Sequence, residues 1–125
     1  MRTLLSFLAL IVSPGLWYPR ASGRASYYSE EYRGKTMANG QPFNPDALTC
    51  ATWKYPLGSV LMVRHYTPRG NWRSVVVTVT DRGPDKRLGR LIDLSRAAFK
   101  HLTNLRAGLI DVDVELLGST KGGEP

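Results

Sequence analysis

A chain of 125 residues carrying 17 basic against 10 acidic side chains, a formal net charge of +7, has length for one domain and favours an anionic polymer as partner. A single cysteine, Cys50, excludes an intramolecular disulfide framework, so the domain must be held by its core alone. Arginines scattered from Arg64 to Arg106 form no nucleic-acid-binding motif, and no metal or phosphate-binding spacing is visible, so neither nucleic acid nor a metal or other cofactor is expected.

Arg2 precedes the apolar run from Thr3 to Val12, which is too short to span a bilayer and suits the core of a signal peptide. Residues 1–24 are therefore read as a leader, with cleavage among the small residues near Ala21-Ser22-Gly23. The remaining chain is expected in the periplasm or outside the cell, against the cell wall and monomeric. Cys50 lies too far from the N-terminus to take a lipid, so no stable membrane anchor is expected after cleavage.

Past the leader, short strands alternate with Gly, Pro and Asn punctuation. The first strand is placed at Ala25–Tyr28. Adjacent residues on a strand face opposite sides, so one of Tyr27 and Tyr28 enters the core while the other is free to stack on a ligand; the pattern does not say which. A second strand is read over Ser59–His65, after the turn signal Pro56-Leu57-Gly58. The turn Thr67–Asn71 then leads into a Val-rich strand, and the two are expected to form a hairpin.

That third strand, Val75-Val76-Val77-Thr78-Val79-Thr80, runs directly into Asp81-Arg82-Gly83-Pro84. Unbroken β-branched residues predict burial on both faces, and Gly83-Pro84 must end the strand. Asp81 thus stands at a strand mouth, where partial desolvation suits an acid to proton transfer. The plain alternative is an aspartate that shapes the turn. If Asp81 and Arg82 continue the strand, their side chains leave opposite faces and the guanidinium need not neutralise the acid.

Ser95 caps a predicted helix over Arg96–Leu102, with Ala98, Phe99 and Leu102 on the face that packs on the sheet. Asp93, just before it, either contacts a ligand or satisfies backbone N–H groups at the helix start. The last strand, Ile110–Leu116, alternates strictly, placing Asp111, Asp113 and Glu115 on one side, read as a solvated outer face of an edge strand. Residues 119–125 read as a flexible tail.

Five segments together carry a resemblance: Gly23-Arg24-Ala25-Ser26-Tyr27-Tyr28, Gly34-Lys35-Thr36-Met37-Ala38-Asn39-Gly40, Pro56-Leu57-Gly58, Asp81-Arg82-Gly83-Pro84 and Arg90-Leu91-Ile92-Asp93-Leu94-Ser95. In this order and spacing, over Gly23 to about Leu117, the chain resembles the rare lipoprotein A family. The resemblance implies an all-β fold over residues 25–118, a six-stranded double-psi β-barrel with one or two short helices, shared more distantly with expansins, barwin-like proteins and some endoglucanases. It implies peptidoglycan glycan as partner and a lytic transglycosylase preferring strands stripped of stem peptides. Asp81 takes the place of the catalytic aspartate, acting first as acid and then as base while the muramic sugar's own hydroxyl closes onto the anomeric carbon.

Around it, Tyr27, Tyr28, Thr36, Asn39, Gly40, Gln41, Arg82 and Asp93 are the expected substrate-binding residues. Thr36, Asn39 and Gly40 would form a polar lip, or simply an Asn-Gly turn. Arg82 either meets an anionic muramyl group or braces its loop. Three positions depart from the family pattern: Gln41 where a glutamate is frequent, Asn44 where an aspartate is common and Thr52 where a histidine is usual. None of these side chains carries protons in acid-base catalysis. A non-catalytic, expansin-like glycan binder would tolerate all three and is the alternative reading; an inverting hydrolase would need a second carboxylate. Glu30, Glu31 and Asp46 are reserve acids, more simply solvated loop charges. Trp53 and Trp72 are candidates for sugar stacking, more simply packing residues, and Cys50 reads as a buried inert thiol.

Overall fold

The computed structural model describes residues 20–120. Most of the expected leader, up to residue 19, and residues 121–125 of the expected tail lie outside that range. Six strands, β1 (Ala21–Tyr27), β2 (Thr49–Ala51), β3 (Ser59–Tyr66), β4 (Trp72–Asp81), β5 (Ile92–Leu94) and β6 (Ile110–Ser119), close into a barrel in the order β1-β5-β2-β4-β3-β6. Among the described residues, one helix, α1 (Arg96–Leu102), and three short 3-10 turns join them. Parallel pairing of β1 with β5 and of β2 with β4, within otherwise antiparallel neighbours, gives the crossed connections of a double-psi barrel.

The hairpin expected from the Thr67–Asn71 turn is present, with β3 and β4 antiparallel and closed by the pair Tyr66 and Trp72. The burial expected for both faces of β4 is corrected. Val75, Val77 and Val79 are buried, whereas Val76 is 43% exposed. A small closed barrel has a single interior, so only alternate residues enter it. The outward β-branched residues serve strand propensity rather than the core.

Two element boundaries are also corrected. β1 starts at Ala21 rather than Ala25, because Ala21 to Arg24 pair with Val114 to Asp111 on β6. Gly23 fits there because a Cβ atom would stand 2.8 Å from the Cβ of Leu91, so β1 approaches that loop only without a side chain. At the other end, Ser119 belongs to β6 and pairs with Ser59, and the Thr120 N–H donates to the Gly58 carbonyl at 2.8 Å. Nor is β6 an edge strand, since it pairs with both β1 and β3. Its acids do face outward, and each meets an arginine: Asp111 with Arg24, Asp113 with Arg64, Glu115 with Arg20.

The core gathers Ala25, Leu61, Val63, Val77, Val79, Ile92, Leu94, Val112 and Val114 from β1, β3, β4, β5 and β6. Helix α1 plugs it as expected: Ala98, Phe99 and Leu102 are fully buried, and Ser95 accepts from the Ala98 N–H at 3.2 Å. Cys50 is buried among these residues, and desolvation pushes its thiol up from the ordinary value of 9.0.

Candidate functional site

One lateral row of pairings builds the floor of a cleft. Ser26 on β1 pairs with Asp93 on β5, Asp93 with Ala51 on β2, and Ala51 with Asp81 on β4. Paired residues share a face, so two carboxylates stand on the outside of the barrel with the small Ala51 between them. Parity alone would send Asp81 inward with Val75, Val77 and Val79. The register between β2 and β4 slips at this point, from Cys50 opposite Val79 to Ala51 opposite Asp81. The resulting bulge turns Asp81 outward, as bulges beside reactive residues do.

Above the row lies a cleft of about 600 Å³ whose walls include Tyr28, Tyr32, Thr36, Phe43, Asp81, Asp85 and Asp93. Asp81 is half-buried in it and is held by three donors. The backbone N–H groups of Ala38 and Arg82 each donate to Oδ1 at 2.9 Å, and the Tyr28 hydroxyl donates to Oδ2 at 2.8 Å. Burial, followed by the hydrogen bond to Asp81 and its charge, holds the Tyr28 phenol far above the ordinary tyrosine value of 10.0. Tyr28 is therefore a permanent donor. Its ring is wedged against Phe43 at 4.7 Å and Tyr32 at 5.7 Å between centroids.

The two tyrosines of β1 separate as strand parity requires. Tyr27 turns to the core side, with its ring 4.7 Å from Phe99 and its hydroxyl donating to the Leu105 carbonyl at 3.0 Å. Its edge still borders the cleft. Tyr28 is the one that faces the acid.

The guanidinium of Arg82 points away from Asp81. Its Nη1 donates to the carbonyls of Thr52 at 2.8 Å and Tyr55 at 2.6 Å, so the side chain braces the loop after β2 while bordering the cleft. Asp93 does not cap the helix, which corrects one of its two expected roles. Ser95 fills that position, and Asp93 Oδ1 instead accepts from the Ser26 hydroxyl and from Arg90 Nε at 3.3 Å.

The segment between Thr36 and Pro42 forms a small β-bridge over the cleft mouth. It is tied down by the Asn39 N–H donating to the Thr80 carbonyl at 3.1 Å. Asn39 Oδ1 accepts from the Gln41 N–H at 3.0 Å, and Gly40, at φ 89°, sits where other residues are strained. Thr36 borders the cleft. Asn39, Gly40 and Gln41 are exposed and lie outside its walls, so this turn contributes chiefly by aiming the Ala38 N–H at Asp81.

Nothing in the side chain of Ala38 signals that role; only its backbone acts. Phe43, Tyr32 and Asp85 also escaped sequence reasoning. Asp85 follows the cis Gly83–Pro84 bond and is paired with Arg87, which lowers its carboxyl below the usual range. Among the reserve acids, Glu30 is paired with Arg33 and Arg96, and Asp46 with Arg33. Glu31 is exposed at the cleft border.

Residues 20–114 match the sequence family described as lytic transglycolase, over a double-psi barrel. The chain belongs to this family. Among its relatives, the endolytic peptidoglycan transglycosylase RlpA of Yersinia pestis is 43% identical over 103 residues, which is 80% of this chain and 28% of the relative. RlpA of Pasteurella multocida is 39% identical over 101 residues, 81% of this chain and 33% of the relative. The chain thus spans about a third of the length of these curated relatives. An uncharacterized Synechocystis protein is 39% identical over 93 residues, 74% of this chain and 94% of its own length.

Solved structures share the barrel as well. A Streptomyces papain inhibitor superposes with a TM-score of 0.59 at 25% identity, over 79% of this chain and 94% of the inhibitor. A Clavibacter michiganensis expansin in complex with cellohexaose superposes at 0.58 with 28% identity, over 79% of this chain and 50% of the expansin. Gln41, Asn44 and Thr52 take different places in the structure. The Asn44 side chain accepts from the Asp46 N–H at 2.9 Å, and Thr52 is buried, donating to the Leu91 carbonyl and accepting from the Lys54 N–H. Gln41 stands on the exposed turn.

Proposed function

We propose that the protein is a lytic transglycosylase that cuts the glycan strands of peptidoglycan, with Asp81 as general acid and then general base. The observation that carries this reading is the donor set on Asp81. Oδ1 already accepts two backbone N–H bonds, while Oδ2, among the described residues, accepts from Tyr28 alone and keeps a lone pair for a proton directed into the cleft. From there the proton passes to the glycosidic oxygen as its bond to the anomeric carbon breaks. The charge left on Asp81 meets three donors already in place, an arrangement that costs no reorganisation at the moment of transfer. The muramic sugar's own hydroxyl then bonds to the anomeric carbon and returns its proton to Asp81, so no water is consumed.

Strands free of stem peptides suit an open cleft with aromatic walls, and the exposed Tyr32 offers a ring for sugar stacking, backed by Tyr28 and the buried Phe43. Export to the periplasm or beyond follows from the substrate, and a cleavage that keeps β1 whole would fall ahead of Ala21. N-terminal sequencing of the secreted protein checks the cleavage point. The protein would act as a soluble monomer near the wall.

A second reading, an expansin-like glycan binder without cleavage, is favoured by one observation: the positions of Gln41, Asn44 and Thr52 are given to turns and packing and bring no second proton carrier to Asp81. Incubation with purified peptide-free glycan strands separates the readings. Anhydro-muramyl ends report transglycosylation, new reducing ends report hydrolysis, and unchanged glycan that sediments with the protein reports binding alone.

A further inference from the structure

The hairpin end of the barrel carries a feature that the cleft does not use. Tyr66 and Trp72, the closing pair of β3 and β4, pack at 5.1 Å between centroids with their ring planes tilted by 59°, yet remain 55% and 56% exposed. A cross-strand aromatic pair that only fastened a hairpin would gain from covering its rings. Here the rings border a recess of about 520 Å³ on the outer face of β1, β6, β3 and β4. Its other wall is polar and ordered: the Ser22 hydroxyl donates to Asp113 Oδ1 at 2.8 Å, Arg64 faces Asp113 at 3.9 Å, and the Arg64 guanidinium lies 5.3 Å from the centre of the Trp72 ring. The turn behind the platform is fixed by the Thr67 N–H donating to the Asn71 carbonyl at 2.8 Å.

Charge decides what such a surface would hold. The chain as a whole is strongly basic, but this patch is balanced, with Arg64 facing Asp113 and Arg24 facing Asp111. A densely charged polyanion or an acidic lipid surface would seek the unpaired cations elsewhere. A sparsely charged glycan fits instead: aromatic faces meet the C–H faces of pyranose rings, the Asp113 carboxylate accepts from hydroxyl and acetamide N–H groups, and the Arg64 guanidinium donates to hydroxyls, to acetamide oxygens and to the one lactyl carboxylate that each disaccharide of peptide-free peptidoglycan carries.

We infer that Tyr66, Trp72, Arg64 and Asp113 form a second, non-catalytic binding surface for a pyranose glycan strand, separate from the cleft. β4 has 10 residues from Trp72 to Asp81, so at about 3.3 Å per residue the aromatic pair stands at most roughly 30 Å from the acid, while along β1 the walls of the two sites, at Gly23 and Tyr27, are about 13 Å apart. The surface is a handhold on a polymer: it keeps the protein on a long glycan between events at the cleft, raising the effective concentration of the next linkage. Its choice of polymer rests on the peptidoglycan reading above, while its existence as a sugar site does not need cleavage.

The test uses Asp81→Asn protein, so that cleavage cannot alter the ligand, and sedimentation with purified peptide-free peptidoglycan glycan. Trp72→Leu keeps apolar bulk in the hairpin and removes the ring face; Trp72→Phe keeps a ring. The expected result is binding of long glycan roughly tenfold weaker for Trp72→Leu and recovered most of the way by Trp72→Phe, with unchanged thermal midpoints. In protein with Asp81 intact, the Leu substitution should slow release of products from intact sacculi and leave cleavage of short soluble glycan untouched. Long-glycan binding equal to that of the parent in Trp72→Leu overturns the second surface alone. No glycan binding by the parent overturns it together with the peptidoglycan reading. Binding altered at Trp72 without any cleavage by the Asp81 protein upholds the surface and sinks only the enzyme.

Discussion

The cleft floor holds two carboxylates in one row of the barrel, and the protein treats its two corners differently. Asp93 is paired with a cation, Arg90, and with the Ser26 hydroxyl, its side chain only 14% exposed. Asp81 is held by two backbone N–H groups and a phenol, all of them neutral. A guanidinium fixes a carboxylate as the anchor of a loop, whereas neutral donors orient one without tying it to a counter-charge. The nearest arginine to Asp81 in sequence, Arg82, is turned away and occupied by the Thr52 and Tyr55 carbonyls. On the proposed reading, the contrast gives chemistry to one corner and support to the other, although the residue type is the same.

Breaking the first corner should have the largest effect. Asp81→Asn keeps the size and much of the hydrogen bonding but cannot carry a proton, so release of anhydro-muramyl products should fall at least about a hundredfold, while glycan binding persists. Asp93→Asn should lose less than roughly threefold in that assay and show its cost instead as a lowered unfolding midpoint. Equal losses of activity in the two variants would erase the distinction. Tyr28→Phe sharpens it further. Removing one neutral donor from Asp81 while keeping the ring against Phe43 should reduce cleavage by about tenfold or more with little change in binding, read as a fall in kcat rather than a rise in KM.

Arg82 is predicted to matter mainly for the scaffold. Arg82→Met strips two carbonyls of their donor in a half-buried loop, which should destabilise the fold by about 1–3 kcal/mol in denaturant titration. A loss of glycan affinity with an unchanged unfolding midpoint would place its guanidinium on the substrate instead.

Much of this was legible in the sequence because it rests on local rules. The Ser95 cap and the apolar face of α1, the alternation of β6 and the β3–β4 hairpin follow from periodicity and turn residues. Asp81 stood out because a long β-branched run ends on it. What the sequence hid depends on pairing at a distance. Ala21 to Arg24 look like a poor strand and become one because β6 lies beside them, and the three-residue strands β2 and β5 exist only as closing members of the barrel. The slip opposite Ala51 that turns Asp81 outward has no residue signature, and the N–H of Ala38 is invisible to any reading of side chains. The choice between Tyr27 and Tyr28 needed only one fact, which face of β1 is inside.

The smallest expected effect is confined to alkaline pH and separates the packed interior from the working cleft. Burial raises the Cys50 thiol above its ordinary value of 9.0, and burial with the Asp81 contact raises the Tyr28 phenol above 10.0. In the unfolded chain both groups shed their protons near those ordinary values, while in the folded protein they keep them. The folded state therefore binds more protons, and stability must fall as pH rises above about 9. For the fully buried thiol the slope approaches about 1.4 kcal/mol per pH unit, since no solvent screens it; the partly open phenol adds less. Denaturant titrations at pH 8, 9 and 10 should show a shallower decline for Cys50→Ala than for the parent, whatever the variant's stability at pH 8. Parallel declines would mean that the thiol ionises as easily inside the barrel as outside it, and that the core reaches less tightly around β2 than the packing of Cys50 beside Leu94 requires.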